Sequence, residues 1–221
     1  LQQRIATESG TRTWGTLQKR PLTGFSHGAA GIAYALLRLS GVTERDIYRK
    51  AAEEVITYEQ SVFMPEIGNW PDLRESDDLQ TDVPCGTSWC HGAPGIGLAR
   101  LGGLAVLDTP QIRGEITTAL TTTQTFGLPT LDGLCCGNFG RIELLIAASQ
   151  RLHQPHLGQM ARLWSSVLIR RAKRRGGFQV LPQLPPQQAY NPGLFQGYAG
   201  IGYELLRVAF PDKVPSILLW E

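Results

Sequence analysis

Four cysteines and four histidines are the residues of this 221-residue chain whose types suit soft-metal or acid–base chemistry. Two of the cysteines are neighbours, Cys135 and Cys136, in "LCCGN". A disulfide between adjacent cysteines needs a strained ring, so two thiols directed at a third object explain the pair better. Cys90 stands beside His91 in "SWCHGAPG", and His27 lies in "FSHGAAG". Three thiolates with one open position describe a catalytic zinc site, because a structural site closes with four protein ligands. Sulfur donors favour zinc over magnesium or calcium. Cys85 is a fourth candidate that would close the site, and buried inert thiols are the plainer alternative for all four. His91 could ligate in place of a cysteine, or hydrogen-bond beside one. His27 carries an imidazole that titrates near neutrality, as an acid or base requires. A histidine at a helix start also serves packing or capping. His153 and His156, in "RLHQPHLG", read as surface residues.

The elements that must position these residues repeat along the chain. "SHGAAGIAYALLRL" (26–39), "WCHGAPGIGLARLG" (89–102), "LCCGNFGRIELLIA" (134–147) and "LFQGYAGIGYELLR" (194–207) share one plan. Each has a polar, aromatic or sulfur residue, then G-x-x-G, then an apolar segment. The lead glycines are Gly28, Gly92, Gly137 and Gly197, spaced by 64, 45 and 60 residues, enough for a helical hairpin and a variable loop. Aligned on these glycines, the preceding residue is His27, His91, Cys136 or Gln196, and the one before it Ser26, Cys90, Cys135 or Phe195. Repeats arranged about a common axis would gather Cys90, Cys135 and Cys136 at one end of the inner helices, with His27 nearby.

The segments after the glycines have helical periodicity. In the first, Ile32, Ala35, Leu36 and Leu39 form the stripe expected to face the core; in the fourth, Ile201, Leu205 and Val208 do so. Between the repeats, 44–63 is amphipathic with a charged face, and 155–174 starts near a proline and ends in cations. The segment 111–126 is the weaker helix, because its threonines lose rotamer freedom. The apolar helices are expected to be inner and the charged ones outer, with loops at 69–84 and 181–193.

Apolar content of 42% and charged content of 18% describe a globular chain with a core to bury. The formal charge of +2 and the lack of a long basic block argue against nucleic acid as a partner. The cluster Arg170, Arg171, Lys173, Arg174 and Arg175 suits the C-terminal end of a helix. No apolar run is long enough for a membrane span, and the N-terminus lacks a signal pattern, so reduced thiols in a cytoplasm are expected. G-x-x-G alone is a weak motif. A dinucleotide site would need G-x-G-x-x-G after a strand, and no strand-like run precedes these glycines.

Together "SHGAAGI", "SWCHGAPGIGLARL", "LCCGN" and "GLFQGYAGIGYELLR" resemble the lanthionine synthetase C-like family. They are most similar to the C-terminal cyclase domain of class II, LanM-type lanthipeptide synthetases. The matching motifs run in family order from about residue 24 to the end of the chain. The resemblance implies an all-α fold, a partial α/α toroid with about four of seven inner and outer helix pairs. Residues 1–221 would be the C-terminal portion of the cyclase domain. It also implies zinc held by Cys90, Cys135 and Cys136, with His27 as the acid or base. The family has a further aspartate upstream of that histidine, and none of the 26 residues before His27 is an aspartate.

The reaction so implied adds a peptide cysteine thiol to dehydroalanine or dehydrobutyrine, forming a (methyl)lanthionine thioether. The partners would be a dehydrated precursor peptide, leader plus core, and an upstream dehydratase domain. A competing expectation is a non-catalytic, zinc-stabilised helical fragment that binds peptide. A toroid acting on sugars or terpenoids would need carboxylates, for which Glu75, Asp77 and Asp78 are candidates in a loop. Addition of glutathione to dehydrated residues is a further alternative within the family.

Overall fold

The computed structural model describes residues 1–7, 10–16, 20–74 and 85–221. Its helices fall into two compact units, Leu1–Thr123 and Gln124–Glu221. The all-α expectation holds: strand structure is limited to a two-residue ladder of β1 (Ile5–Ala6) and β2 (Arg12–Thr13), paired antiparallel with Ile5 opposite Thr13.

In the first unit, α1 (Ala29–Thr43) and α2 (Asp46–Ser61) form a helical hairpin. Glu44, with φ 55°, ends α1 by donating its N–H to Ser40 O. Along α2, Ala51, Ala52, Val55 and Ile56 are buried, while Arg49 bridges Asp46 and Glu53 on the wet side. The next helix, α3 (Ala93–Gly103), is buried along its whole length. Its alanines and glycines let neighbours come close: a Cβ on Gly103 would lie 2.5 Å from Leu37 Cδ1 of α1. Then comes α4 (Pro110–Phe126), the threonine-rich helix. Its hydroxyls are used rather than wasted: Thr117 and Thr123 donate to the carbonyls of Arg113 and Ala119, and Thr122 donates to Gly68 O.

The core-facing stripe expected on α1 is wrong by about half a turn. Ala35 and Leu39 are exposed and Ile32 and Leu36 half-buried, whereas Ala30, Ala33, Tyr34 and Leu37 are buried. The helix is apolar nearly all round, so periodicity alone cannot choose a face. Packing chose the one with the small residues, which permits close approach, and with Tyr34 against Phe25.

In the second unit, α5 (Asn138–Arg151) is buried from Asn138 through Ala148. It packs on α6 (Pro155–Arg175), which begins with proline and ends at Gly176 in the left-handed conformation, φ 75°. Lys173, Arg174 and Arg175 occupy the last turn of α6, as the helix dipole favours. The last helix, α7 (Tyr198–Ala209), buries Ile201 and Val208 as expected, with Leu205 half-buried. Between α5 and α7, Arg207 donates to Glu143 at 2.6 Å, and Ser216 of the C-terminal segment donates to the same carboxylate. No helix among the described residues is long and apolar enough to cross a membrane.

Candidate active-site loops and metal centre

The glycine pairs are needed for backbone contact more than for unusual dihedrals. In three repeats the first helical N–H donates to the carbonyl seven residues earlier: Ala29 to Leu22, Asn138 to Leu131, Tyr198 to Asn191, at 2.8–2.9 Å. That turn leaves no room for a side chain. A Cβ on Gly28 would stand 2.3 Å from Leu22 O, and one on Gly197 would stand 2.2 Å from Asn191 O. The second repeat differs. Gly92 has φ 86°, and the N–H of Ala93 goes instead to the side chain of Asn69, Oδ1, at 2.9 Å. Asn69 also receives the Trp70 N–H and donates to Gly86 O, so one buried amide holds the loop that carries Cys90 and His91.

Within the first unit the loops of repeats one and two lie side by side. Gly24, φ 90°, backs against Cys90, whose carbonyl would be 2.4 Å from a Cβ at that position. Phe25 packs on Trp89 with centroids 5.1 Å apart, and His27 stacks on His91 at 5.2 Å with an interplanar angle of 19°. The Gly24 N–H donates to Glu59 of α2, which pairs with Arg100 of α3 at 2.8 Å; Arg100 also pairs with Glu115 of α4. Burial raises the Glu59 carboxyl above its usual pKa, against the pull of Arg100.

His27 is exposed, and His91 is 2% exposed. Burial lowers the His91 pKa, only partly countered by Cys90 and Asp72. Cys90 is buried, its sulfur 3.2 Å from Ser88 Oγ. Cys85 lies against Met64 Sδ at 3.7 Å, and burial, helped by Glu66 and Asp72, raises its pKa. His153 and His156 are exposed, as expected. The loop carboxylates Glu75, Asp77 and Asp78 lie outside the described residues.

The second unit repeats the side-by-side arrangement with sulfur in place of imidazole. Gly133 sits against Phe195 and Gln196 as Gly24 sits against Cys90 and His91. The Cys135 N–H donates to Phe195 O at 2.8 Å. Asp132 fixes the start of this loop: its carboxylate accepts from Asn138 Nδ2, the Gln179 N–H and Arg171 of α6. Cys136 is exposed and Cys135 half-buried, and their sulfurs are 3.4 Å apart. That is far beyond a disulfide bond. Two zinc–sulfur bonds of about 2.3 Å at a tetrahedral angle would place the sulfurs about 3.8 Å apart, so the pair needs little adjustment to share one ion. None of Cys90, Cys135 and Cys136 is in a disulfide, and as a donor set they are compatible with zinc.

Glu59, Asn69, Asp72 and Asp132 are absent from the sequence reading as site residues. No local pattern marks them, since each acts on a residue distant in sequence or on backbone.

Glycine-led helices, three of them preceded by loops that carry imidazole or sulfur, define an all-α protein built of helical repeats. A model of the family described as lanthionine synthetase C-like protein matches residues 3–219, and the chain belongs to that family. Lacticin 481/lactococcin biosynthesis protein LcnDR2 of Lactococcus lactis subsp. lactis is 23% identical over 201 residues, covering 86% of this chain and 21% of the relative. The solved structure of nisin cyclase is similar in fold, with a TM-score of 0.64 at 17% identity, over 88% of this chain and 47% of that one. The chain thus spans about a fifth of the curated relative and about half of the solved structure.

Proposed function

We propose that this chain is the C-terminal portion of a lanthipeptide cyclase domain, which forms (methyl)lanthionine rings in a dehydrated precursor peptide. The observation that carries the reading is the Cys135–Cys136 pair, outside any disulfide and with sulfurs 3.4 Å apart, at a glycine-led helix of a chain that matches the family. Cys90, Cys135 and Cys136 would hold one Zn2+. Bound there, the ion would lower the pKa of a peptide thiol and make its thiolate available near pH 7. The sulfur forms a bond to the β-carbon of the dehydroamino acid while the π bond of C=C opens and the Cα–Cβ single bond remains. The electron pair moves to the α-carbon as an enolate, which takes up a proton. His27, exposed and stacked on His91, is the donor in this scheme.

A dehydratase in a longer polypeptide or a second protein would supply the dehydrated peptide, and the site would work in the cytoplasm.

The test is elemental analysis of the purified chain beside Cys135→Ala. About one zinc per chain, lost in the variant, supports the site. Full zinc occupancy in Cys135→Ala overturns it. A zinc-loaded chain that leaves a dehydrated precursor peptide unchanged would instead be a non-catalytic peptide-binding fragment.

A further inference from the structure

We propose that Asp72 is a positioning residue of this site: it fixes the ring of His91, and that ring is the platform on which His27 lies. The inference rests on the cyclase reading only for the role of His27. Asp72 lies in the segment between α2 and α3, and its side chain is 12% exposed. A fork from Arg74 holds the carboxylate, Nε to Oδ1 at 2.9 Å and Nη2 to Oδ2 at 2.7 Å, and the Arg74 N–H also donates to Oδ1. So held, Oδ1 faces His91 Nδ1 at 3.6 Å. This is beyond a direct hydrogen bond, and the attraction acts through space or through one bridging water.

A carboxylate on that side favours the Nδ1–H tautomer of a neutral imidazole and one of its two ring orientations. The other nitrogen of His91, Nε2, is buried and has no hydrogen-bond partner among the described residues. No hydrogen bond at Nε2 therefore selects between the two ring orientations, and that choice falls to Asp72. The His91 face in turn sets where the exposed His27 ring rests, 5.2 Å away and nearly parallel. An exposed imidazole has several rotamers, and a fixed flat neighbour restricts them. The path from Arg74 through Asp72 and His91 to His27 orders the proton donor without touching the reacting atoms.

The experiment uses the zinc-loaded full chain and the variants Asp72→Asn and His91→Phe. Long-range proton–nitrogen NMR reads the His91 tautomer and the ring-current shift of the His27 protons. In Asp72→Asn, His91 should become a mixture of tautomers and the His27 shift should move toward that of a free imidazole, with zinc content unchanged. Turnover of a dehydrated peptide should fall about tenfold in kcat, with KM little altered. His91→Phe keeps a flat face and should keep much of the His27 shift. If Asp72→Asn does not fold, Arg74→Gln loosens the same carboxylate from outside and should move both NMR signals in the same direction. Unchanged His91 and His27 signals in the folded variant overturn the proposal. Changed signals in a chain without turnover would leave it standing and remove the cyclase reading instead.

Discussion

The backbone N–H of Gly24 donates to Glu59 Oε1 at 2.9 Å, joining the loop before His27 to the interior of α2. Glu59 is fully buried, and its other oxygen accepts from Arg100 of α3. One carboxylate therefore holds the first loop and, through Arg100, the helix that follows the second. Glu59→Ala would strand Arg100 in the core with Glu115 as its remaining partner. Removing one member of a buried pair costs about 3–5 kcal/mol, and the melting temperature should fall by several degrees or more. Glu59→Gln keeps an acceptor for Gly24 and should cost less. Thermal unfolding of the two variants checks the order. Equal and negligible shifts would mean that the network is incidental.

His27 stacks on His91 but is itself exposed, so its loss leaves no buried hole. His27→Ala should fold normally and keep about one zinc per chain. If its imidazole delivers the proton, cyclisation of a dehydrated peptide should slow by about a hundredfold or more. Metal content and turnover measured on one preparation separate the roles. Loss of zinc in this variant would make His27 a ligand, and unchanged turnover would remove it from the chemistry.

The sequence showed α2 and α6 well because each carries an apolar face and a polar one. The expected 44–63 and 155–174 became Asp46–Ser61 and Pro155–Arg175. It could not show the buried face of α1, where alanines and leucines occur on every side. The cysteines and histidines stood out because the repeats align them against the same glycines. Their supports did not. Asn69 caps Ala93 from 24 residues away, and Glu59 sits in a helix whose charges read as a wet face. A buried charge and a solvated one look alike in a sequence until the partner, here Arg100, is located in space.

Glu204 of α7 is fully buried beside Glu143 and Arg207, with Tyr203 near the same group. Burial first, and then the Glu143 carboxylate, hold its pKa well above the usual 4.5, and Arg207 only partly offsets them. The native chain therefore keeps a proton that the unfolded chain releases above that value. More protons bound in the native state means stability falls as pH rises, from about 4.5 up to the raised native pKa, by at most about 1.4 kcal/mol per pH unit from this group. Glu204→Gln cannot release a proton and lacks that slope. Relative to the parent, the variant should gain stability between pH 5 and pH 8. Urea unfolding of both proteins at those two pH values checks the sign. Parallel losses in parent and variant would mean that Glu204 is ionised in the native chain, with Arg207 balancing both carboxylates.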